Sequence, residues 1–152
     1  MRSRQRRRRE TRHDQSADPW CDRRLARNTT RISLETTVAE LTPYLRRANR
    51  LKSPDAKRAH IVEADVLDSD ALEAAMQGMD IVYANLAGDL PRQARTIIAA
   101  MHSAGLRRHV FISPMGVYGE VPGERYRGIL DPYRDAALEI EGSEFDYTIL
   151  RP

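Results

Sequence analysis

Asp80-Ile-Val-Tyr-Ala-Asn-Leu86, DIVYANL, is a nearly continuous apolar run of strand length that leads into Ala87 and Gly88. An uninterrupted run of this kind, rich in β-branched and aromatic residues and closed by a turn signal, reads as a strand buried on both faces, as in a parallel sheet. The flanking sequence supports that reading. Pro91 to Ala104 carries Ala94, Ile97, Ile98 and Met101 on one helical face and stops at Gly105. Arg108 to Ser113, RHVFIS, is the next strand. Met115 to Gly128 is a loop holding four glycines and Pro122, Pro132 to Glu141 is helical and ends at Gly142, and Tyr147 to Leu150 begins one more strand.

The pattern extends upstream. His60 to Val66, HIVEADV, reads as a strand, followed by a helix capped by Asp68 or Ser69, with Leu72, Ala75 and Met76 on its inner face and Gly78 closing it. Ala39 to Leu45, AELTPYL, has strand length and apolar content, although Pro43 lacks a ladder donor. Strands alternating with helices of about 10 to 15 residues predict an α/β, doubly wound parallel sheet with right-handed crossovers. There is no internal repeat.

At 152 residues the chain is one domain's worth of sequence, and its single cysteine, Cys21, excludes a disulfide framework. No apolar run approaches the roughly 20 residues of a membrane span, and the arginine-rich start lacks a secretory signal's apolar stretch, so a cytoplasmic protein is expected. The net charge of +3 is unevenly spread: residues 1–27 hold ten arginines against Glu10, Asp14, Asp18 and Asp22, a balance of +6, which leaves −3 for the rest. Arg6 to Arg9 could serve as an electrostatic arm for nucleic acid or anionic lipid. With no aromatics interleaved and no nucleic-acid fold following, residues 1–16 read instead as a basic disordered arm, ahead of a domain spanning 17–152.

The ordered set EADVLD (Glu63 to Asp68), DIVYANLAG (Asp80 to Gly88), HVFISPMGVYG (His109 to Gly119) and DYTILRP (Asp146 to Pro152) resembles the atypical short-chain dehydrogenase/reductases, the NAD(P)H-binding, NmrA-like proteins. The resemblance implies a Rossmann-like fold and a dinucleotide lying across the carboxyl ends of the strands. Arg46 and Arg47 then stand where arginine pairs with a 2′-phosphate, favouring NADP over NAD; a solvated pair on a loop is the competing reading. Asp65 and Val66 fall beside the adenine position, Asn85, Leu86, Ala87 and Gly88 where small residues admit the cofactor backbone, and Ser113 and Pro152 at later strand ends. Helix capping by Asp68 and a turn that needs φ > 0 at Gly88 are the structural alternatives.

Function by resemblance is hydride transfer between NAD(P)H and an unidentified small substrate. Classical relatives use a tyrosine with a lysine four residues later, the ammonium lowering the phenol pKa. Here Tyr118 is followed by Pro122, Tyr126 by Leu130 and Tyr133 by Ala137, and the only lysines are Lys52 and Lys57. The catalytic candidates are therefore Ser113, Tyr133 and Arg134, the last as a replacement charge. A non-catalytic dinucleotide-binding redox sensor is the alternative, and nucleic-acid binding through the arginine arm a further one. Scattered histidines and a lone cysteine give no metal-ligand spacing; His102 and His109 read as satisfied structural histidines, and Met76, Met79, Met101 and Met115 as core residues.

No glycine precedes Gly78, so the first 38 residues lack the strand, glycine turn and helix that would hold a pyrophosphate. Back-translating Asp18 to Arg24 as GAT CCT TGG TGC GAC AGG CGC and reading one nucleotide later gives Ile-Leu-Gly-Ala-Thr-Gly, the family's first strand and turn. The arginine-rich start is then expected to be read out of frame, with a compensating shift near Ile32 to Glu35; a genuine extension with its own role is the rival. With its end at Pro152, the chain reads as a fragment at both ends.

Overall fold

The computed structural model describes residues 23–51 and 55–152. Helix and strand alternate through α1 (Arg23–Thr36), β1 (Tyr44–Leu45), β2 (Val62–Glu63), α2 (Ser69–Met76), β3 (Ile81–Ala84), α3 (Leu90–Ser103), β4 (Arg108–Ile112), α4 (Asp131–Glu141) and β5 (Asp146–Leu150). Every strand pairing is parallel, as the alternation predicts. The strands form two ladders, β1-β2 and β3-β4-β5.

The core lies against one face of the three-stranded ladder. Parallel neighbours Val82, His109 and Tyr147 stand in register, as do Ala84, Phe111 and Ile149. Ala84 and Phe111 pack with Leu90, Ala94 and Met101 of α3 and with Ala136, Ala137 and Ile140 of α4. Two of the residues that bound α3 were legible, Pro91 in its first turn and Gly105, which takes a φ of 69° after the last; the Asp89 cap, whose Oδ1 accepts from the Arg92 N–H at 3.4 Å, was not. Asp68, not Ser69, caps α2, accepting from the Ala71 N–H.

Several expectations need correction. The strand in AELTPYL shrinks to Tyr44–Leu45 plus an isolated bridge between Leu41 and Ala59. The Leu41 N–H donates to the Arg58 carbonyl, while the carbonyls of Leu41, Pro43 and Leu45 accept from the N–H groups of His60, Val62 and Ala64. Backbone groups at 41, 43 and 45 thus face β2, and the donor missing at Pro43 interrupts that ladder. HIVEADV shortens with it, to Val62–Glu63.

DIVYANL is not buried on both faces: Ile81 is 58% exposed and Tyr83 37%. The edge of β3 away from β4 has no strand beside it among the described residues, and α1 reaches that side through a 3.4 Å contact between Thr29 Oγ1 and Tyr83 Oη.

The first 38 residues do contribute a helix, α1. Its sequence gives weak local signals, since threonines 30 and 36 turn their hydroxyls back to the carbonyls of Ala26 and Ile32. Contacts with the rest of the fold hold it instead. Leu34 is buried, and the Arg58 guanidinium, paired with Asp55 at 3.0 Å, donates to the carbonyls of Leu34 and Thr37 at the helix end. Met115 is 57% exposed and is no core residue. The arm over 1–16 lies outside the described residues, as does the shifted-frame stretch from Asp18 to Arg24 except for Arg23 and Arg24, which open α1.

Candidate functional site

Within each parallel ladder the strands end on the same side, and it is outside such carboxyl ends, the rim of the sheet, that open α/β folds bind ligands. After β1 come Arg46 and Arg47, both exposed. The turn behind them is fixed from β2, where Glu63 Oε2 accepts from the Ala48 N–H at 2.6 Å. After β2, Asp65 is spent locally: its Oδ1 accepts from the Leu67 N–H at 2.9 Å and its carbonyl from the Tyr44 hydroxyl at 2.9 Å. Burial, together with the carboxylates of Asp68 and Asp65, raises the Tyr44 phenol above its ordinary 10, so it stays a neutral donor. Val66 packs against the core.

The turn after β3 is the most specific part of the rim. Leu86 is buried, Asn85 and Ala87 are half-buried, and Gly88 takes a φ of 105°, a conformation costly for any residue with a Cβ. A Cβ there would meet only Gln93 Nε2 at 3.7 Å, so the requirement comes from the backbone and not from crowding. The Gln93 amide donates to the Ala87 carbonyl at 3.0 Å, while its Oε1 is buried with no hydrogen-bond partner. Gln93 went unread in the sequence. Its signal was a polar residue at i+3 from Leu90 and i−4 from Ile97, on the buried face of α3.

At the end of β4, Ser113 is fully buried; its N–H donates to the Leu150 carbonyl at 2.9 Å, and its Oγ has no partner. Two residues upstream of Phe111, His109 is equally buried, with neither ring nitrogen bonded, and burial pushes its pKa from 6.5 down to about 4. The expected satisfied histidine is therefore a neutral, unsatisfied one. His102 instead stacks on Phe145, with ring centroids 4.6 Å apart.

The loop after β4 is tied down by a carboxylate that sequence reasoning also missed. Glu120 accepts from the N–H groups of Gly116 and Tyr118, at 3.1 and 2.9 Å, and from the Arg151 guanidinium at 2.7 Å. Its pKa is held below the ordinary value chiefly by these backbone N–H bonds, its own amide first. Tyr118 donates its hydroxyl to Glu141 at 2.6 Å, and Arg151 lies over its ring at 5.2 Å. Partial burial, then the Glu141 carboxylate, push that phenol well above its usual range.

The remaining candidates sit apart from one another in character. Tyr133 is buried among core residues of α4. Arg134 pairs with Asp131 and Asp135 at 3.2 and 3.4 Å and lies over Tyr126 at 5.3 Å. Pro152 is exposed past β5. Among the described residues no helix is long and apolar enough to cross a membrane, and no trio of His, Cys, Asp or Glu is grouped to hold a metal.

For a dinucleotide, the rim after β3 and β4 fits: Gly88 leaves open space at the turn, and Ser113 Oγ is a buried hydroxyl with an unused bonding capacity. The pyrophosphate end lacks its glycine turn, for no glycine precedes Gly78 and α1 opens on Arg23 and Arg24.

The family model described as NAD(P)H-binding matches residues 22–152. A solved Rossmann-fold NAD(P)-binding family protein from Shigella flexneri is 39% identical, with a TM-score of 0.66 over 85% of this chain and 60% of its own. A short-chain dehydrogenase/reductase from Veillonella parvula in complex with NADP is 24% identical, with a TM-score of 0.75 over 84% of this chain and 63% of its own. An NADPH-dependent quinone oxidoreductase from Escherichia coli, complexed with NADPH, shares the fold at 20% identity and a TM-score of 0.67 over 86% of this chain and 45% of its own. The chain thus spans less than two thirds of the length of these proteins. No curated protein matches it.

Proposed function

Since the chain belongs to the NAD(P)H-binding family, we propose that it binds NADP(H) along the rim at the strand ends as the cofactor part of an atypical, NmrA-like short-chain reductase acting on a small carbonyl or quinone compound in the cytoplasm. The observation that carries this is the pairing of the positive-φ turn at Gly88 with the buried, unsatisfied Ser113 Oγ at neighbouring parallel strand ends. In this reading Ala87 and Gly88 let the cofactor backbone approach, Ser113 offers a hydrogen bond, and the exposed Arg46 and Arg47 pair with a 2′-phosphate. The bound cofactor supplies a hydride; the protein orients it and keeps water away.

A second reading is favoured by one specific observation. Tyr118, the tyrosine after β4, is held neutral against Glu141 and has no lysine partner, so it is a poor proton donor for a carbonyl. The protein would then bind the dinucleotide and report its redox state without turnover.

Calorimetry with NADPH and NADH tests both readings. Loss of about two charge-assisted pyrophosphate contacts, roughly 1.5 to 3 kcal/mol each, sets affinity in the high micromolar range or weaker. Arg46→Ala with Arg47→Ala removes the preference for NADPH over NADH, and Ser113→Ala weakens both. Absence of any binding at millimolar dinucleotide rejects the proposal. Turnover of NADPH with a quinone probe selects the reductase, and binding without turnover the sensor.

A further inference from the structure

Gln93 is a polar residue in a place made for an apolar one. It lies on the face of α3 that carries Leu90, Ala94 and Ile97 into the core, and it is itself only 7% exposed. Its amide makes a single bond: Nε2 donates to the Ala87 carbonyl at 3.0 Å, while Oε1 is buried with no donor to meet it. A buried acceptor left unmet costs at least as much as one neutral hydrogen bond returns. A methionine or leucine here would pack on the same neighbours and leave no side-chain acceptor unsatisfied. Stability does not account for the glutamine.

What that single bond does is orient one peptide. The Ala87 carbonyl and the Gly88 N–H belong to the same trans peptide and point in opposite directions. With the carbonyl drawn onto Gln93, the Gly88 N–H is turned away from α3, and among the described residues it meets no acceptor. This peptide is also the one in the turn most free to flip. A flip changes ψ of the residue before it and φ of the residue after it, and glycine, here at a φ of 105°, accepts either sign. Its neighbours are fixed in other ways, the Gly88 carbonyl by the Leu90 N–H at 2.9 Å and Asp89 by its cap on α3. Flipped, the same peptide would offer the rim a carbonyl oxygen in place of an N–H.

We propose that Gln93 is a positioning residue that locks the Ala87–Gly88 peptide with its N–H toward the rim, as a donor to an acceptor oxygen of the bound dinucleotide. The inference rests on the dinucleotide reading above and adds a sign to it. A dinucleotide presents oxygen acceptors along its phosphates and riboses, so an N–H at the turn attracts it and a carbonyl oxygen there repels it. Gly88 supplies the contact. Gln93, which touches no ligand in this scheme, supplies its direction, and the unmet Oε1 is what the fold gives up to hold it.

The test uses the full chain, isotope-labelled for NMR, with NADPH as the probe. Gln93→Met keeps the length of the side chain and removes its donor. It should weaken NADPH binding about tenfold by calorimetry, the worth of one oriented hydrogen bond to a charged ligand, while the unfolding midpoint stays at or above that of the unaltered protein. Without ligand, the Gly88 amide should acquire relaxation dispersion in the variant, from a peptide that now flips on the microsecond-to-millisecond scale. The downfield shift that NADPH produces at this amide in the unaltered protein should shrink. Gln93→Leu should behave in the same way. Unchanged affinity in both variants overturns the proposal and leaves the cofactor reading standing. So does a fall in the unfolding midpoint of both, which makes Gln93 a structural residue, or a Gly88 amide as static in the variants as in the parent. An unaltered chain that takes up no NADPH at millimolar concentration overturns both.

Discussion

The β3-β4-β5 ladder rests on α3 and α4 and buries Phe111, Met101 and Ile140 almost completely, whereas the β1-β2 ladder pairs two residues per strand and is held largely by polar contacts. Those contacts are the Tyr44 hydroxyl on the Asp65 carbonyl, Glu63 on the Ala48 N–H, and Arg58 on the end of α1. Apolar burial sums over area and tolerates small shifts, while a few directional bonds fail one at a time. The two ladders should therefore open at different free energies, the first only with global unfolding and the second below it.

The largest effect expected from this contrast is in the first ladder. Phe111→Ala should cost about 3–5 kcal/mol by denaturant unfolding, because no neighbouring side chain can refill a ring-sized hole between the sheet and two helices. A cost under about 1 kcal/mol would mean that this core is not well packed.

His109 gives the next largest. It stays neutral in the fold down to about pH 4, while in the unfolded chain it protonates at its ordinary 6.5. Between these values the unfolded state holds the extra proton, so stability falls as pH drops from about 6.5 to 4, by about 3 kcal/mol in all, and this contribution is level outside that window. His109→Leu should abolish that slope and leave the remaining acid sensitivity in place.

In the second ladder, Arg58→Ala should cost about 1–2 kcal/mol, read chiefly as faster exchange of amides in α1 and around β1, with β4 and β5 unchanged. If β4 amides accelerate equally, the two ladders are one cooperative unit and the comparison fails. The smallest effect is a control on the surface of the first: the Arg95–Glu139 pair, 2.7 Å apart and exposed, should be worth no more than about 0.5 kcal/mol in a double-mutant cycle.

Where local chemistry decides structure, the sequence could be read. Pro91 and Gly105 bound α3, and the apolar stripe of Ala94, Ile97 and Met101 chose its buried face. Reading failed where structure depends on what is next door. DIVYANL was assigned two buried faces because its composition suits a central strand, yet burial depends on what packs beside a strand, and among the described residues β3 has a strand on one edge alone. Helix α1 was missed because Arg58, distant in sequence, holds its end, and that contact cannot be inferred from the helix's own pattern. At the rim, Gly88 and Ser113 were named as candidates from their places at strand ends. Gln93 and Glu120 were not, since one looked like a stray polar residue on a helix and the other like a solvated loop charge.

Glu120 has a thermodynamic consequence for whatever enters the rim. The segment from Gly116 to Gly119 begins and ends on glycine and would otherwise sample many conformations at a cost of roughly 1–2 kcal/mol of backbone entropy per residue fixed. One carboxylate, bonded to two amides of that segment and to Arg151 beyond β5, settles that entropy at folding. A ligand therefore meets a loop already preorganised, and its contact energy goes into affinity instead of ordering the chain.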